Sequence, residues 1–261
     1  MSESHLAIVT GGAGLGIGSG ISAVLADQGW RVLIVDCDED ATATVIDQIS
    51  SGGGQVRGLS VDLTCLDAPS QIVDAAQRWA GRIDGLVNNA AISLPADIGQ
   101  LTDQNLDRML ALNLHAVIRL MRDVGRVLTR PSGSIVNIGS VHAGQTLPGF
   151  TAYAATKGAV VSATRAAAVD LGTAGIRVNC ILPGLVDSPM SRRVANESGT
   201  DAEAYFKSWA TCRQLLPDLV TPSDVGQLVG FLLGPQSSRI TGQTIAIDGG
   251  TMAMLTDRDM H

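Results

Sequence analysis

Tyr153 and Lys157 are the pair of side chains whose types and spacing could carry out proton transfer in this sequence. They lie four residues apart in a segment with helical periodicity, so both side chains can reach one pocket. The 261-residue chain contains only two tyrosines and two lysines, which makes this pairing more informative than usual. A nearby positive charge lowers the pKa of a phenol from its ordinary value of about 10. The pair therefore indicates a general acid/base.

A glycine-rich segment near the start of the chain could hold a phosphate group. Five glycines lie between Gly11 and Gly18, after a short apolar run and before a helix that begins near Ile17. Such a turn lets the backbone approach a pyrophosphate, whose charge the helix N-terminus favours. Without the common GxGxxG spacing, the segment could also be a tight turn alone, although five glycines exceed what a turn requires.

Asp36 ends the next apolar run, 18 residues after Gly18, close to the spacing of an acid that binds the adenosine ribose hydroxyls of a dinucleotide. A 2′-phosphate at this place would meet the negative charges of Asp36, Asp38 and Glu39. We therefore predict NAD rather than NADP as the cofactor. The alternative is that Asp36 is only a turn residue or a helix cap.

Short apolar segments alternate along the chain with longer segments of helical spacing. The predicted strands are Leu6–Thr10, Arg31–Asp36, Val56–Asp62, Gly85–Asn88, Ser134–Ile138, Ile176–Ile181 and Thr244–Ile247. The predicted helices between them include Ala68–Ala80, Gln104–Leu128 and Ala152–Leu171. Most of the strands are continuously apolar, which is typical of strands covered on both faces. We predict an α/β Rossmann-type fold, a doubly wound seven-stranded parallel sheet flanked by helices. Residues 1–261 form one domain, with a substrate lid at about 189–216.

Composition and charge exclude several classes of function. A net charge of −7 argues against a partner with an anionic surface, so we expect neither nucleic acid nor membrane as a partner. No apolar run approaches the roughly 20 residues of a membrane span, so we expect a soluble, cytoplasmic protein. The four cysteines lie apart from one another and from any histidine cluster, so we expect neither disulfides nor a metal site.

Several motifs together resemble the short-chain dehydrogenase/reductase family. They are Thr10–Gly18, Asp62-Leu63, Asn88–Ala91, Tyr153 with Lys157, and, near the end of the chain, Ile240–Gln243 and Asp248–Gly250. The similarity extends over almost the whole chain. Two positions depart from the family pattern: four residues rather than three separate Gly11 from Gly16, and Ala91 stands where glycine is usual.

The resemblance implies roles for residues at the cofactor and at the reacting atoms. The expected cofactor-binding residues are Gly11, Gly12, Gly16 and Ile17 at the pyrophosphate, Asp36 at the ribose, Asp62 and Leu63 at the adenine, Asn89 and Ala90 at the ribose and central strand, Tyr153 and Lys157, and Val186 and Ser188 at the carboxamide. Among the catalytic residues, Ser140 would orient the substrate oxygen against Tyr153. Asn113 would hold a water in a proton relay to Lys157. The family also implies a homotetramer, paired through the helix Ala152–Leu171 and the preceding long helix.

The substrate is the least determined part of the prediction. The residues expected to touch it are His142, Gln145, Arg192 and Trp209. Their polar groups suit a sugar or polyol, and the run Ser140-Val141-His142 is similar to some sugar dehydrogenases of the family. His142 could instead be a solvated loop residue, and Trp209 could only anchor the lid. The alternative functions are a reductase of a cyclic ketone or a β-keto substrate, and a non-catalytic NAD-binding regulator.

Overall fold

The computed structural model describes residues 4–197, 199 and 201–255, which form a parallel sheet between two layers of helices. The strands are β1 Leu6–Thr10, β2 Arg31–Asp36, β3 Gln55–Ser60, β4 Gly85–Asn88, β5 Ser134–Ile138, β6 Arg177–Pro183 and β7 Thr244–Ile247. They pair in parallel in the order β3-β2-β1-β4-β5-β6-β7. The predicted doubly wound, seven-stranded parallel sheet is therefore confirmed.

Helices follow most of the strands and cover both faces of the sheet. They are α1 Ile17–Asp27, α2 Glu39–Ser51, α3 Ala68–Ala80, α4 Asp103–Leu110, α5 Val117–Val127, α6 Thr151–Gly172, α7 Pro189–Glu197, α8 Ala202–Cys212 and α9 Pro222–Leu233. Short 3₁₀ turns lie at Ile98–Gln100, Val141–Ala143, Pro235–Ser237 and Thr251–Ala253. Within the described part of the chain, no helix has both the length and the apolar character needed to cross a membrane.

The sheet has a separate hydrophobic core on each face. Ile8 of β1 packs in the core formed with α3, α5 and α6, whereas the next residue, Val9, packs in the core formed with α1, α2 and α9. Successive side chains of a strand point to opposite faces, so a strand buried on both faces is mostly apolar. This explains the apolar stretches of β1, β4 and β5, all of whose residues are buried. Their polar residues, Thr10, Asn88, Ser134 and Asn137, all make hydrogen bonds.

The strand β3 differs from this pattern because it lies at the edge of the sheet. Four of its six residues are exposed. It spans Gln55–Ser60, whereas the sequence predicted Val56–Asp62. The strand β6 also differs: it spans Arg177–Pro183 rather than the predicted Ile176–Ile181. Backbone pairing with a neighbouring strand sets where each of these strands ends. The apolar pattern of the sequence does not predict this pairing.

A π-helical turn interrupts the segment that was predicted as one helix over Gln104–Leu128. The turn, Ala111–Ala116, joins α4 to α5. Such a turn places one extra residue in the helix and is frequent at functional sites. It contains Asn113, whose side chain is buried.

Candidate active site

The end of β5 and the start of α6 bring three of the predicted catalytic residues together. Ser140 follows β5 by two residues, and its hydroxyl lies beside the phenol of Tyr153 in the first turn of α6, where it favours the phenolate. Lys157 lies one turn further along the same helix, with its Nζ 5.7 Å from the centre of the Tyr153 ring. This Nζ donates to the carbonyl of Ile138, the last residue of β5, at 2.8 Å. The strand thus fixes both the hydroxyl and the ammonium group relative to the phenol.

Burial shifts the pKa values of Tyr153 and Lys157 in opposite directions. It raises the pKa of the Tyr153 phenol, and the hydrogen bond from Ser140 offsets only part of this effect. It lowers the pKa of the Lys157 ammonium to about 8. The sequence predicted a lowered pKa for Tyr153. In the protein alone, the pKa of this phenol is raised instead. Desolvation of the phenolate outweighs the stabilisation that the neighbouring groups of the protein provide.

Asn113 connects the π turn to its surroundings through its side-chain amide. Its Nδ2 donates to the carbonyl of Ile92 at 2.8 Å and to Oγ1 of Thr156 at 3.3 Å. Its Oδ1 accepts from the backbone N–H of Ile92 at 2.9 Å. These hydrogen bonds use both hydrogens of the side-chain amide. A water bound by Asn113 must therefore donate to an oxygen of this residue. The predicted proton relay through such a water stays a prediction.

The glycine-rich loop between β1 and α1 has the backbone shape of an anion-binding turn. Gly11 and Gly14 have positive φ values of 60° and 72°, so two left-handed residues absorb the extra loop residue found in the sequence. Gly16 is the N-cap of α1 and provides no side-chain hydrogen bond to the first turn. The N–H groups of that turn therefore suit an anionic ligand such as a pyrophosphate.

Asn89 holds this loop through two side-chain hydrogen bonds, and Gly18 allows the loop to approach α1. Asn89 Nδ2 donates to the carbonyls of Thr10 at 3.0 Å and Gly11 at 2.8 Å. A Cβ on Gly18 would lie 1.9 Å from the Gly11 carbonyl oxygen, so only glycine fits there. Gly18 was not among the predicted site residues, although it closes the glycine run. Ala90, also predicted at the cofactor, lies against Gly11, where a Cβ would be 2.8 Å from the Ala90 Cα.

Asp36 lies beside the glycine loop at the end of β2. Its Oδ2 accepts from the N–H of Ala13 at 3.2 Å, and its Oδ1 accepts from the N–H of Asp38 at 3.2 Å. The helix cap that was an alternative for Asp36 is Asp38 instead, which caps α2 by accepting from Ala41. The two backbone donors fix the Asp36 carboxylate at the edge of the loop, where it fits the ribose end of a dinucleotide.

The residues predicted to hold the adenine follow β3. Asp62 Oδ1 accepts from both the N–H and the hydroxyl of Thr64, each at 2.8 Å, and these hydrogen bonds lower the pKa of its carboxyl. Leu63 packs its side chain into the core, so its backbone is the part available to a ligand. These two residues form the turn that leads from β3 towards α3.

The residues predicted to hold the carboxamide lie at the start of α7. Val186 and Ser188 are both buried. The Ser188 hydroxyl is 3.0 Å from the Ser191 hydroxyl, and the latter donates to the Val186 carbonyl at 2.7 Å. Sequence reasoning did not include Ser191, because its spacing from Ser188 is ordinary for the first turn of any helix. The backbone N–H of Met190 donates to the Leu15 carbonyl at 3.3 Å, which joins this turn to the glycine loop.

Arg192 pairs with two carboxylates at the lid. Its guanidinium pairs with both oxygens of Asp187, at 2.5 and 2.8 Å, and with Glu203 at 2.6 Å. It also lies over the Phe206 ring, 5.0 Å from its centre. These partners fasten α7 and α8, the two lid helices, to the segment after β6. Arg192 is not among the residues that line the cavity described next, and its predicted contact with the substrate stays a prediction.

A cavity of about 210 Å³ lies between the end of β5 and the lid. Its lining residues are Val141, His142, Gln145, Thr146, Leu147, Trp209, Arg213, Thr251, Met254 and Leu255. Three of the four predicted substrate residues, His142, Gln145 and Trp209, are among them. Arg213 was not predicted. Its position in the cavity depends on how α8 packs, for which the sequence carries no local signal.

His142 connects this cavity to the catalytic residues. Its ring stacks on Phe150 at 4.4 Å and lies edge-on to Tyr153 at 5.6 Å between ring centres. Its Nδ1 is 2.8 Å from the Thr146 hydroxyl, and burial lowers the pKa of its imidazole. His142 is therefore an ordered wall residue, in contrast to the solvated alternative. Nowhere in the described part of the chain do three His, Cys, Asp or Glu side chains come together as ligands for a metal.

Comparisons with known proteins agree with this arrangement. Residues 12–252 match the family described as enoyl-(acyl carrier protein) reductase. The short-chain reductase protein NovJ of Streptomyces niveus is 36% identical over 96% of this chain and 95% of its own length. The cyclopentanol dehydrogenase of a Comamonas strain is 32% identical over 96% and 98%. The crystal structure of a point variant of the actinorhodin polyketide ketoreductase with NADPH superposes with a TM-score of 0.90 at 29% identity, covering 96% of this chain and 98% of that one. The chain is an oxidoreductase that belongs to the short-chain dehydrogenase/reductase family.

Proposed function

We propose that this protein transfers a hydride reversibly between a secondary alcohol and NAD. The observation that carries the proposal is the Ser140 hydroxyl close enough to the Tyr153 phenol to stabilise its ionised form, with the Lys157 ammonium one helical turn away. A dehydrogenase of this kind needs a proton acceptor, a group that orients the substrate oxygen, and a positive charge beside the acceptor. Tyr153, Ser140 and Lys157 supply these three groups in that order.

The chain's residues have distinct tasks in the proposed reaction. Bound NAD would accept the hydride at its nicotinamide ring. Ser140 donates a hydrogen bond to the substrate oxygen, and Tyr153 takes the hydroxyl proton as the carbonyl forms. The reverse direction uses the neutral phenol as the proton donor. Because burial raises the pKa of Tyr153, efficient oxidation near neutral pH requires positive charge from both Lys157 and the oxidised nicotinamide.

The preference for NAD rests on Asp36. Its carboxylate is fixed by two backbone N–H groups beside the glycine loop, where an added 2′-phosphate would be repelled. The polyketide ketoreductase that superposes on this chain was solved with NADPH, so the choice of cofactor has to be tested on this chain. Wild-type protein should have at least a tenfold higher kcat/KM with NAD than with NADP.

The cofactor test uses Asp36→Ser, which should remove most of this preference. Asp47→Asn is the matched control, since this exposed carboxylate also lies in the segment after β2 but more than two turns along α2, away from the loop. It should leave the NAD to NADP ratio of kcat/KM within about twofold of the wild-type value. Equal use of the two cofactors by the wild-type protein would contradict the assignment.

The substrate of the proposed reaction is a small secondary alcohol or the corresponding ketone, with a sugar or polyol as the hydroxyl-rich candidate. Cyclopentanol, named in the similar dehydrogenase, is a secondary alcohol, and the polar wall residues His142 and Gln145 favour added hydroxyl groups. The test is NADH formation with a panel of secondary alcohols, cyclic alcohols, sugars, polyols and hydroxy acids. NAD binding without NADH formation across the panel would favour a non-catalytic regulator instead.

A further inference from the structure

Met190, the second residue of α7, lies against the glycine loop between β1 and α1. A Cβ on Gly16 would be 3.4 Å from the Met190 Sδ, and a Cβ on Gly14 would be 3.6 Å from its Cε. The backbone N–H of Met190 donates to the Leu15 carbonyl at 3.3 Å. A thioether of the lid therefore lies on the loop whose backbone shape suits a pyrophosphate.

The Met190 side chain is accessible to solvent as well as close to this loop. Its exposed fraction is 44%, whereas Met109 and Met121 are buried, at 1% and 5%. The other two methionines in the described part of the chain, Met252 and Met254, are partly buried. A small oxidant such as a peroxide reaches an exposed thioether more readily than a buried one. Among the described methionines, we therefore expect Met190 to be oxidised first.

Oxidation would make this side chain polar beside a row of backbone donors. Gly16, the N-cap of α1, has no side chain to accept from the first turn, so the N–H groups of that turn suit an acceptor from outside the helix. A thioether sulfur is a weak acceptor, whereas a sulfoxide carries a polar oxygen. A sulfoxide at Met190 would compete for the donors that an anion needs, and its oxygen would face the oxygens of a pyrophosphate.

We propose that Met190 is an oxidation site through which a peroxide weakens binding of the nicotinamide dinucleotide. This inference rests on the proposed function, which places that cofactor at the glycine loop. In the reaction, the O–O bond of hydrogen peroxide breaks, an S–O bond forms at Sδ and water leaves. The sulfur is oxidised by two electrons and the peroxide is reduced. Methionine sulfoxide reductases convert the sulfoxide back to the thioether, so the effect is reversible.

The test measures the Kd for NAD by calorimetric titration before and after treatment with hydrogen peroxide. Cys37 and Cys65 are also exposed, and Cys37 follows Asp36, so dithiothreitol is added after the peroxide to reduce oxidised thiols. The Kd of the wild-type protein should rise at least tenfold, and a methionine sulfoxide reductase should restore it. Peptide mass spectrometry should find one added oxygen at Met190, and less of it when NAD is present during the treatment.

Two variants separate Met190 from other oxidisable groups. Met190→Leu removes the sulfur and keeps an apolar side chain, so its Kd for NAD should be the same before and after peroxide. This variant retains both exposed cysteines and therefore also detects any loss of binding caused by thiol oxidation. Met254→Leu, at a partly buried methionine that lines the cavity, should respond to peroxide as the wild-type protein does.

The outcomes distinguish failure of this inference from failure of the proposed function. A wild-type Kd that stays within twofold once Met190 is fully oxidised would overturn the inference, and so would an equal loss of NAD binding in Met190→Leu. In both cases the untreated protein binds NAD and the proposed function stands. Untreated protein that binds neither NAD nor NADP would contradict the proposed function, and the inference would fail with it.

Discussion

Lys157 is buried and Tyr153 is half-buried, and this loss of solvent favours the neutral form of both side chains. The pKa of the phenol rises and that of the ammonium falls to about 8, so the lysine loses its proton before the tyrosine as pH increases. A neutral phenol next to Ser140 suits donation of a proton to a ketone. The opposite task requires additional positive charge, which an oxidised nicotinamide cofactor would supply. Binding of the oxidised cofactor should therefore lower the pKa of Tyr153, which couples cofactor binding to proton transfer.

Replacing Tyr153 with phenylalanine tests the acid/base role directly. The ring and its packing against His142 remain, whereas the hydroxyl that lies beside Ser140 is lost. We expect kcat to fall by about 10²–10⁴-fold, the usual contribution of a general acid/base, with NAD binding by titration largely retained. Tyr205→Phe, at the only other tyrosine, is the control and should change kcat less than twofold. Retained turnover in Tyr153→Phe would exclude this residue as the proton carrier.

Lys157 should make stability depend on pH in a particular window. Its pKa is 10.5 when exposed and about 8 when folded, so between these values the unfolded chain holds a proton that the folded chain lacks. The free energy of unfolding contributed by this group therefore rises with pH across the window. Relative to Lys157→Met, the wild-type protein should gain on the order of 3 kcal/mol from pH 8 to 10.5. Urea unfolding of both proteins measures this gain, and a constant difference would contradict it.

Among the elements, α7 and α8 are joined by the side chain of Arg192. It pairs with Asp187 between β6 and α7, and with Glu203 in α8. The Glu203 carboxylate is largely exposed, so that pair contributes little. The bidentate pair with Asp187 is the stronger one because its geometry is fixed and both partners are partly buried. It also lies next to Ser188, at the predicted carboxamide position.

Loss of this pair should therefore weaken cofactor binding more than it weakens the chemical step. In Arg192→Met we expect the KM for NAD to rise about three- to tenfold and kcat to change less than threefold. The neighbouring Arg193→Met is the matched control, since Arg193 pairs with Glu197 in an exposed i,i+4 arrangement within α7. A KM for NAD equal in the two variants would show that the lid does not depend on Arg192.

The elements also show where sequence reasoning succeeds and where it stops. Strands such as β1 were predictable because burial on both faces demands an uninterrupted apolar run. The π turn over Ala111–Ala116 was not, because one extra residue in a turn leaves the apolar spacing on either side almost intact. The same limit applies to side chains: Tyr153 and Lys157 interact along one helix, whereas Arg192 finds Glu203 across two helices. Spacing along the sequence predicts the contact within one helix and contains no information about the contact between two helices.

For the whole molecule, we predict a homotetramer. Val169 on α6 and Ile118 on α5 are 77% and 44% exposed, and these are the two helices expected to pair between subunits. Exposed apolar side chains on such faces favour association. Val169→Glu should convert tetramers to smaller species in light scattering after gel filtration, because it would bury a charge at the interface. Val169→Ala should remain tetrameric. A monomeric wild-type protein would refute the prediction.

The π turn around Asn113 lets this helical segment hold one extra residue without changing how its two ends pack. The wider turn absorbs that residue, so the buried side of α5, which includes Leu120, Met121 and Val124, stays in its core. Removing one residue between 111 and 116 would therefore give a regular helix whose core contacts remain largely in place. The Asn113 amide would lose its position against Ile92 and Thr156, so such a deletion should damage the candidate site and spare the fold.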